Sequence, residues 1–497
     1  MVTHGAVRWV RAMNTALLII FLTYAFGNEN LSPEMRKSGI YLTISSFNGL
    51  GSYGYFEMNW FGIGEEYIGE TFTALTTQNP PRSLSDILSL WAVRRPSGRF
   101  TTGVLAPNFN ISTLMKGQCL GYWGIIMRPR NASANDSSWD FEKLKSTQGL
   151  SEKKKKRLAL VSSLLRCFPK DVQSLASPTS DCVEVLYSSC FTPKPRWMRD
   201  NCDVLSTLTL MDVLIPGTHN SGMYNLGLTL PYEHHAYNQD KTVKQQLAYG
   251  IRALDLRVQH TNGKFYATHD RVRGWPTIRQ VLQEVREFVD ETGELVLLDF
   301  HRFTKGFDER YDNVTARHTE LVQLIVTELN GVLLKKYDYL ARLHEIFGEC
   351  KKETKPQGHV IVFYNSKYKR GPHEEYLAPL VVHRWPNAQS KQALMEYLEI
   401  EACISASCNL ISIMAELTAS FPKLIAGNRQ AAQWINYDVT EYFRNHQQKC
   451  FGFISTDFFL GNGIIDVTIE ANILRGGNAR ILNPSRRHYD CNITGNI

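Results

Sequence analysis

The sequence lacks most of the features that mark membrane-spanning and nucleic-acid-binding proteins. Beyond residues 1–27 it has no long hydrophobic run, and its polar end, DCNITGNI, argues against a C-terminal span or lipid-anchor signal. It contains no zinc-binding spacing and no RNA-binding signature. The formal net charge of +7 suits a phosphate-bearing ligand but is too small to indicate nucleic acid. The remaining composition, 43% hydrophobic and 21% charged among 497 residues, is typical of a globular chain of about two domains.

The first 27 residues have the pattern of a secretory signal peptide. Arg8 and Arg11 precede the apolar run TALLIIFLTYAFG, which closes with the small residues Ala25 and Gly27. This run of about a dozen residues is shorter than the roughly 20 that span a bilayer. We therefore predict a signal peptide over residues 1–27 and a secreted, extracellular protein, with an uncleaved signal anchor as the alternative.

Cysteines and glycosylation sequons support export. An even number of cysteines in an exported chain suggests disulfides, although their pairing does not follow from the spacing. The ten cysteines are Cys119, Cys167, Cys182, Cys190, Cys202, Cys350, Cys403, Cys408, Cys450 and Cys491. The sequons lie at Asn110, Asn131, Asn135, Asn313 and Asn492. Asn30 is a poor further acceptor because Pro33 follows its Ser32.

The N-terminal third of the chain predicts a β-sandwich-like domain over residues 28–130. Short aromatic or β-branched segments such as GIYLTISSF, YGYFEMNWF and GRFTTGVLA alternate with Gly, Pro and Asn. They carry no catalytic constellation, so a docking role and a purely structural role both stay open. Residues 131–195 are predicted to form a polar, cysteine-containing connector. Its basic run Lys153–Arg157 fits anionic lipid or, more simply, a solvated loop or processing site.

From residue 196 to 475 short apolar strands alternate with helical patterns. The strands LMDVLIP, RALDLRVQ, ELVLLDFHRF, HVIVFYN and CFGFISTDFFL are interleaved with helices such as TIRQVLQEVREFVDETG and ARHTELVQLIVTELNGVLL. Alternation over this length favours an α/β fold of the distorted (β/α)8 TIM-like barrel type over an open sheet. Residues 476–497 are predicted to be a C-terminal tail.

Polar side chains cluster where these strands end, which in such a barrel is the active-site face. The segment LIPGTHNSG is predicted to place a histidine after a Pro-Gly turn that ends a buried strand. The strand-end set comprises His219, Asn220, Asp255, Arg257, His269, Asp270, Asp299, His301 and Asp457.

This set of side chains suits the cleavage of a phosphodiester. One imidazole deprotonates a nucleophilic hydroxyl and a second protonates the leaving oxygen, each contributing roughly 10²–10⁴-fold. A guanidinium matches the charge on the phosphoryl oxygens, and a carboxylate orients the base imidazole. Structural interpretations also exist: Asp255 and Arg257 could form only a buried ion pair, Asp299 could cap a turn, and His301 could be incidental.

Four motifs together resemble the X-domain proteins of the phosphatidylinositol-specific phospholipase C superfamily: LIPGTHNSG, GIRALDLRV, FYATHD and STDF, spread over about residues 196–470. The resemblance implies that His219 is the general base and His269 the general acid. It also implies that Asp457 orients His219 and that Arg257 binds the phosphate, as in the bacterial, metal-independent branch.

The resemblance has consequences for metal binding. The calcium-dependent branch has a carboxylate ligand where Arg257 stands, so we expect no metal and no cofactor. The patterns of that branch's accessory PH, EF-hand and C2 domains are also absent. The bacterial branch has Asp where Asn220 stands, and that Asp supports the general acid. Asn220 can accept a hydrogen bond from His269 but cannot stabilise it by charge. With Asp255 and Asp299 retained, a residual metal site stays open.

Three functions are compatible with this sequence. We expect a secreted phosphodiesterase that cleaves inositol phospholipids or glycosylphosphatidylinositol anchors at a membrane surface, with Asp255, Asp299 and His301 contacting the substrate. An exported enzyme acting on another lipid phosphodiester is the first alternative. A catalytically weak protein that binds phosphoinositides or a partner is the second. We predict no nucleic acid and no stable protein partner.

Overall fold

The computed structural model describes most of the chain between residues 37 and 482. The described ranges are 37–47, 54–130, 183–224, 235–310, 313–348, 350, 357–368, 371–403, 409–418 and 427–482. The predicted signal peptide, the Lys153–Arg157 run, four of the cysteines and the sequons at Asn131, Asn135 and Asn492 lie outside these residues. Asn110 and Asn313 lie within them, and both side chains are exposed.

The N-terminal part of the described chain is a β-sandwich, as predicted. Its elements are β1 Gly39–Ile44, β2 Tyr55–Phe61, β3 Phe72–Thr76, β4 Ile87–Ala92, β5 Gly98–Leu105, α1 Ile111–Leu114, β6 Trp123–Pro129 and β7 Val183–Cys190. One antiparallel sheet has the order β1-β2-β5 and the other β4-β3-β6-β7. Apolar side chains of both sheets, including Phe56, Trp60, Leu75 and Ile126, form one buried core. β7 lies inside the segment predicted as a connector.

The rest of the described chain is an α/β barrel. Its strands are β8 Leu214–Thr218, β9 Ala253–Thr261, β10 Lys264–His269, β11 Val272–Thr277, β12 Leu295–Phe303, β13 His359–Tyr364, β14 Leu377–Ala378, β15 Val382–Arg384, β16 Ile411–Met414 and β17 Gly452–Thr456. Its helices are α2 Trp197–Asp200, α3 Cys202–Leu205, α4 Val243–Tyr249, α5 Ile278–Thr292, α6 Val314–Glu328, α7 Leu343–Phe347, α8 Lys391–Tyr397, α9 Gly427–His446 and α10 Ile464–Leu482.

Eight parallel strands of the described chain form the barrel wall in the order β14-β13-β12-β9-β8-β17-β16-β15. No ladder joins β14 to β15 within residues 371–403, so the barrel is distorted and open on that side. β10 and β11 form an antiparallel hairpin that continues from β9. The predicted distorted TIM-like barrel, preceded by a β-sandwich, is thereby confirmed, and α10 extends past the predicted start of the tail at residue 476.

Helix α5 shows how the sequence builds the barrel's outer layer. Thr277 and Gln280 form a capping box that satisfies the first free N–H groups, and Gly293 ends the helix with a φ of 71°. Between them, apolar residues recur every three or four positions and are all buried: Ile278, Val281, Leu282, Val285, Phe288 and Val289. This face packs in the same core as β12, which is buried on both sides as expected for a central parallel strand.

A buried ion pair and, among the described cysteines, two disulfides lie in the barrel, and a third disulfide lies in the sandwich. Arg252 and Glu294 have fully buried side chains with a nitrogen–oxygen distance of 2.6 Å. Arg252 also donates to the carbonyls of Lys194 and Pro195, which brings the chain entering the barrel against its wall. Among the described cysteines the disulfides are Cys119–Cys190, Cys202–Cys350 and Cys403–Cys450.

Of the helices in the described ranges, none combines the length and the apolar character needed to cross a membrane.

Helix α9 joins the barrel to the sandwich. The Gln433 side chain accepts from the backbone N–H of Ser46 (3.0 Å) and donates to Glu57 of β2 (2.8 Å). Further along α9, the Arg444 guanidinium lies 3.8 Å from the centre of the Phe61 ring. Polar and cation–π contacts therefore hold the sandwich against the barrel.

Candidate active site

The turn that carries His219 differs from the predicted Pro-Gly turn. Pro216 and Gly217 lie within β8, where they pair with Ile454 and Ser455 of β17. A Cβ atom on Gly217 would come within about 3.3 Å of three neighbouring atoms, so glycine permits the close approach of the strands. The chain turns instead at Asn220, which has a φ of 45°, a left-handed conformation that asparagine tolerates.

His219 forms a hydrogen-bonded dyad with Asp457. The Nδ1 atom of His219 lies 2.8 Å from Oδ1 of Asp457, and the same oxygen accepts from Asn238 Nδ2 at 2.9 Å. An acceptor at Nδ1 leaves the lone pair of the neutral imidazole at Nε2. Burial opposes a charge on the ring, but the carboxylates of Asp457 and Glu416 outweigh it and raise the pKa of His219.

Arg257 occupies the reactive side of His219. Its Nη2 atom donates to His219 Nε2 at 2.7 Å and lies 3.6 Å from Asp255 Oδ2. The Nε atom of Arg257 is buried and has no partner among the described residues. The guanidinium therefore keeps a donor available for an anion while it covers the Nε2 lone pair of His219.

His269 stands opposite His219. The two rings are 6.3 Å apart and nearly perpendicular. The Nδ1 atom of His269 donates to the carbonyl of Ala236 at 3.0 Å, which leaves the lone pair of the neutral ring at Nε2. Burial, with the charges of Arg257 and His219, lowers the pKa of His269 to about 4. Without substrate this imidazole is therefore neutral over most of the physiological range.

Asn220 does not hold His269 in the predicted way. Its Nδ2 atom donates to Asn238 Oδ1 at 3.0 Å, and its backbone N–H donates to Asp255 Oδ2 at 2.9 Å. The Oδ1 atom of Asn220 is buried and has no partner among the described residues. The left-handed backbone directs the amide toward residue 238, and the Ala236 carbonyl provides the support for His269 that was expected from Asn220.

A loop over residues 235–240 buttresses both histidines, and the sequence did not reveal it. Ala236 binds His269, and Asn238 joins Asp457 to Asn220. The side-chain nitrogen of Gln239 donates to the carbonyls of His219 and Thr456, each at 2.9 Å. Because the segment HHAYNQD has no periodic pattern, no sequence signal distinguishes it from an ordinary loop.

Of the other predicted carboxylates, Asp255 and Asp299 each contact an imidazole, whereas Asp270 lies 2.9 Å from Arg302. Asp255 Oδ1 lies 2.5 Å from His301 Nε2. Burial alone would raise the pKa of Asp255, but His301 and Arg257 hold it well below its usual range. Asp299 Oδ2 lies 2.8 Å from His383 Nε2 as an ion-pair contact without hydrogen-bond alignment. His301 and His383 stack with ring centres 3.9 Å apart. His383 was not predicted, although it lies in the apolar segment PLVVHRW, one residue before β15 ends.

Glu416 is a second residue that the sequence interpretation missed. It follows β16 by two residues, at the same end of the barrel as Asp457, and its side chain is 2% exposed. Burial raises the pKa of Glu416 to about 7, against the opposing effects of His219 and Arg257. The segment ISIMAE, an apolar strand followed by a carboxylate, was the available signal.

Among the described residues, no group of three or more His, Cys, Asp or Glu side chains is arranged to hold a metal ion.

The topology and the strand-end residues are similar to those expected for a barrel of the phosphatidylinositol-specific phospholipase C type. No protein-family model matches the chain. Human PI-PLC X domain-containing protein 1 is 24% identical over 323 residues, which cover 57% of this chain and 94% of that protein. A PI-PLC X-box domain-containing protein of Dictyostelium discoideum is 27% identical over 125 residues, which cover 22% of this chain and 17% of that protein. The resemblance predicted from the four motifs is thereby confirmed.

Two bacterial enzymes of known structure are similar to the chain. Phosphatidylinositol-specific phospholipase C from Staphylococcus aureus is 14% identical with a TM-score of 0.42, and the match covers 56% of this chain and 97% of that one. The enzyme from Listeria monocytogenes is 18% identical with a TM-score of 0.42, and the match covers 57% of this chain and 98% of that one.

Proposed function

We propose that the protein is a secreted phosphodiesterase that cleaves inositol phospholipids, or glycosylphosphatidylinositol anchors, into diacylglycerol and a cyclic inositol phosphate. The observation that carries the proposal is the pair of imidazoles 6.3 Å apart, one held by a carboxylate and the other by a carbonyl. The guanidinium of Arg257 is close enough to oppose a positive charge on both histidines, although the net pKa of His219 is still raised by its carboxylate neighbours.

The first step of the proposed reaction forms the new ester bond. Nε2 of His219 takes the proton of the inositol 2-hydroxyl, and the oxygen attacks phosphorus. Asp457 then faces an imidazolium, which its negative charge stabilises across the 2.8 Å contact.

The second step breaks the bond to diacylglycerol. Nε2 of His269 gives its proton to the leaving oxygen, and the cyclic phosphate remains. A low pKa for His269 in the empty site makes this the demanding part of the reaction, and the negative charge of the bound phosphodiester raises that pKa toward neutrality.

Arg257 links substrate binding to activation of the base. In the empty site its guanidinium donates to the atom of His219 that must accept the proton. A phosphodiester offers this guanidinium a charged acceptor, which forms a stronger hydrogen bond than a neutral imidazole does. Substrate binding therefore draws Arg257 from His219 and frees the base where the hydroxyl arrives.

The proposed reaction needs no metal ion, because Arg257 supplies the positive charge beside Asp255. Three disulfides support the proposed export of the protein, since such bonds persist in oxidising compartments.

The test is turnover of phosphatidylinositol with a labelled headgroup by the purified protein, with and without EDTA. We expect labelled cyclic phosphate in both conditions and none from His219→Ala. His344→Ala is a matched control, because His344 lies on α7 and contacts the Ser206 carbonyl. Loss of activity in EDTA would contradict the metal-independent mechanism. Binding of the lipid without turnover would favour the phosphoinositide-binding alternative.

A further inference from the structure

Glu416 differs from Asp255, Asp299 and Asp457 in having no hydrogen-bond or ion-pair partner among the described residues. Asp255 contacts His301, Asp299 contacts His383, and Asp457 contacts His219. Both side-chain oxygens of Glu416 are buried without a hydrogen-bond partner among the described residues. Buried polar groups in folded proteins almost always have partners, so this one requires an explanation.

The position of Glu416 places it beside the proposed base. β16, which it follows, is the neighbour of β17 in the barrel wall, and Asp457 comes directly after β17. Glu416 interacts electrostatically with His219, Asp457, Arg257 and Asp255. Its carboxyl group therefore lies near the groups that are proposed to bind and cleave the phosphodiester.

The physical cost of this arrangement points to a ligand. A buried carboxyl group without a partner is unfavourable whether it is ionised or neutral, and an apolar side chain in its place would stabilise the fold. A ligand that supplies the missing hydrogen bonds offsets that cost when it binds. Hydroxyl groups fit best, because they donate to a carboxylate and both donate to and accept from a carboxylic acid.

We propose that Glu416 recognises a ring hydroxyl of a polyol headgroup and so selects it over smaller headgroups on the same phosphodiester. This inference rests on the proposed function. It assigns Glu416 a role in substrate binding, whereas the two histidines carry the proton transfers. A substrate without the matching hydroxyl would leave the buried carboxyl group unpaired, which is how such sites discriminate between similar ligands.

The test measures headgroup binding, so that it gives an answer whether or not the protein turns over lipid. The probes are myo-inositol 1-phosphate and glycerol 1-phosphate, which share the phosphate but not the ring. We expect the wild-type protein to bind the inositol compound more tightly. Glu416→Leu should reduce that preference by about tenfold or more, the loss of one hydrogen bond to a group of this kind. Glu416→Gln, which keeps a donor and an acceptor, should retain most of it.

Thermal unfolding separates this role from a structural one. Glu416→Leu should raise the melting temperature, since it removes an unpaired buried carboxyl group. Glu375→Leu, at an exposed carboxylate, is the control for the added leucine and should change neither the preference nor the melting temperature appreciably. An unchanged ligand preference in Glu416→Leu, a lower melting temperature for it, or a wild type that binds both phosphates equally would each overturn the inference. Turnover of phosphatidylinositol is scored separately, so its absence would overturn the proposed function and leave the binding result to stand.

Discussion

Replacing Asp457 with asparagine is the sharpest test of the base dyad, because the structure separates the charge of Asp457 from its geometry. Oδ1 of Asp457 accepts from both His219 Nδ1 and Asn238 Nδ2. In Asp457→Asn the donor on Asn238 still favours the orientation in which the oxygen of the new amide faces His219. The imidazole therefore keeps its tautomer and loses only the neighbouring charge.

The expected magnitude follows from the pKa of His219. An opposite charge at such a distance shifts a pKa by roughly 1–3 units. Without Asp457, burial and Arg257 dominate, so the pKa should fall from above 6.5 to below it. Each unit corresponds to about 1.4 kcal/mol, or at most tenfold in rate. A fall of one to two units in the pKa of His219 therefore predicts that kcat/KM decreases by up to roughly 10–100-fold at a pH where His219 is neutral in the free enzyme.

The assay is the pH dependence of kcat/KM on a soluble short-chain substrate. The proposed acid, His269, has the lower pKa and the proposed base, His219, the higher one, so kcat/KM should fall below the lower pKa and above the higher one. In the wild type we therefore expect the acidic limb near pH 4, from His269, and the basic limb above the ordinary pKa of histidine, from His219. Asp457→Asn should move the basic limb down, with the largest loss at alkaline pH. At mildly acidic pH the loss should be small. Wild-type His219 is already an imidazolium in the free enzyme there, so Asp457 stabilises the free enzyme and the transition state alike. An unmoved basic limb, or an equal loss at every pH, would refute the reasoning. Asp438→Asn, at an ion pair with Lys391, is the control.

Three further substitutions test other contacts. Arg257→Lys should lower kcat/KM at least tenfold in steady-state assays, because an ammonium group cannot reproduce the guanidinium fork on a phosphate; a variant with near wild-type activity would contradict the clamp. Asn220→Asp should lower kcat/KM, since the new carboxylate would replace the amide that donates to the side-chain oxygen of Asn238; an equal or higher kcat/KM for the variant would contradict this. Arg252→Met should reduce the free energy of unfolding by about 3–5 kcal/mol in denaturant titration, because the buried Glu294 loses its ion-pair partner and keeps only the backbone N–H groups of Met198 and Arg199. A loss below about 1 kcal/mol would show that Glu294 finds another partner or takes up a proton at little cost.

Much of the fold could be predicted from local patterns. Apolar strands alternate with helices over some 280 residues, and parallel strands joined in that way place their carboxyl ends on one face. The polar residues at those ends, including His219, Arg257 and Asp457, therefore had to face the same mouth. β16 escaped prediction because it is a strand of only four residues, too short for a periodic signal.

The supporting contacts of the site could not be predicted in the same way. Asn238 and Asp457 are 219 residues apart, and no periodicity relates a loop position to a strand end at that distance. The motif resemblance predicted Asn220 as the partner of His269. The left-handed backbone at residue 220 instead directs its side-chain amide to Asn238.

The sequence by itself determined which chemical groups meet at the barrel mouth, because strand direction and alternation decide which residues end there. The tertiary structure alone decided which of those groups have partners. Three of the carboxyl groups are paired with imidazoles brought from other strands, whereas Glu416 has no partner among the described residues. Whether a side chain is satisfied depends on atoms packed around it from distant parts of the chain, and hydrogen bonds form over about 3 Å, a distance that no spacing in the sequence specifies.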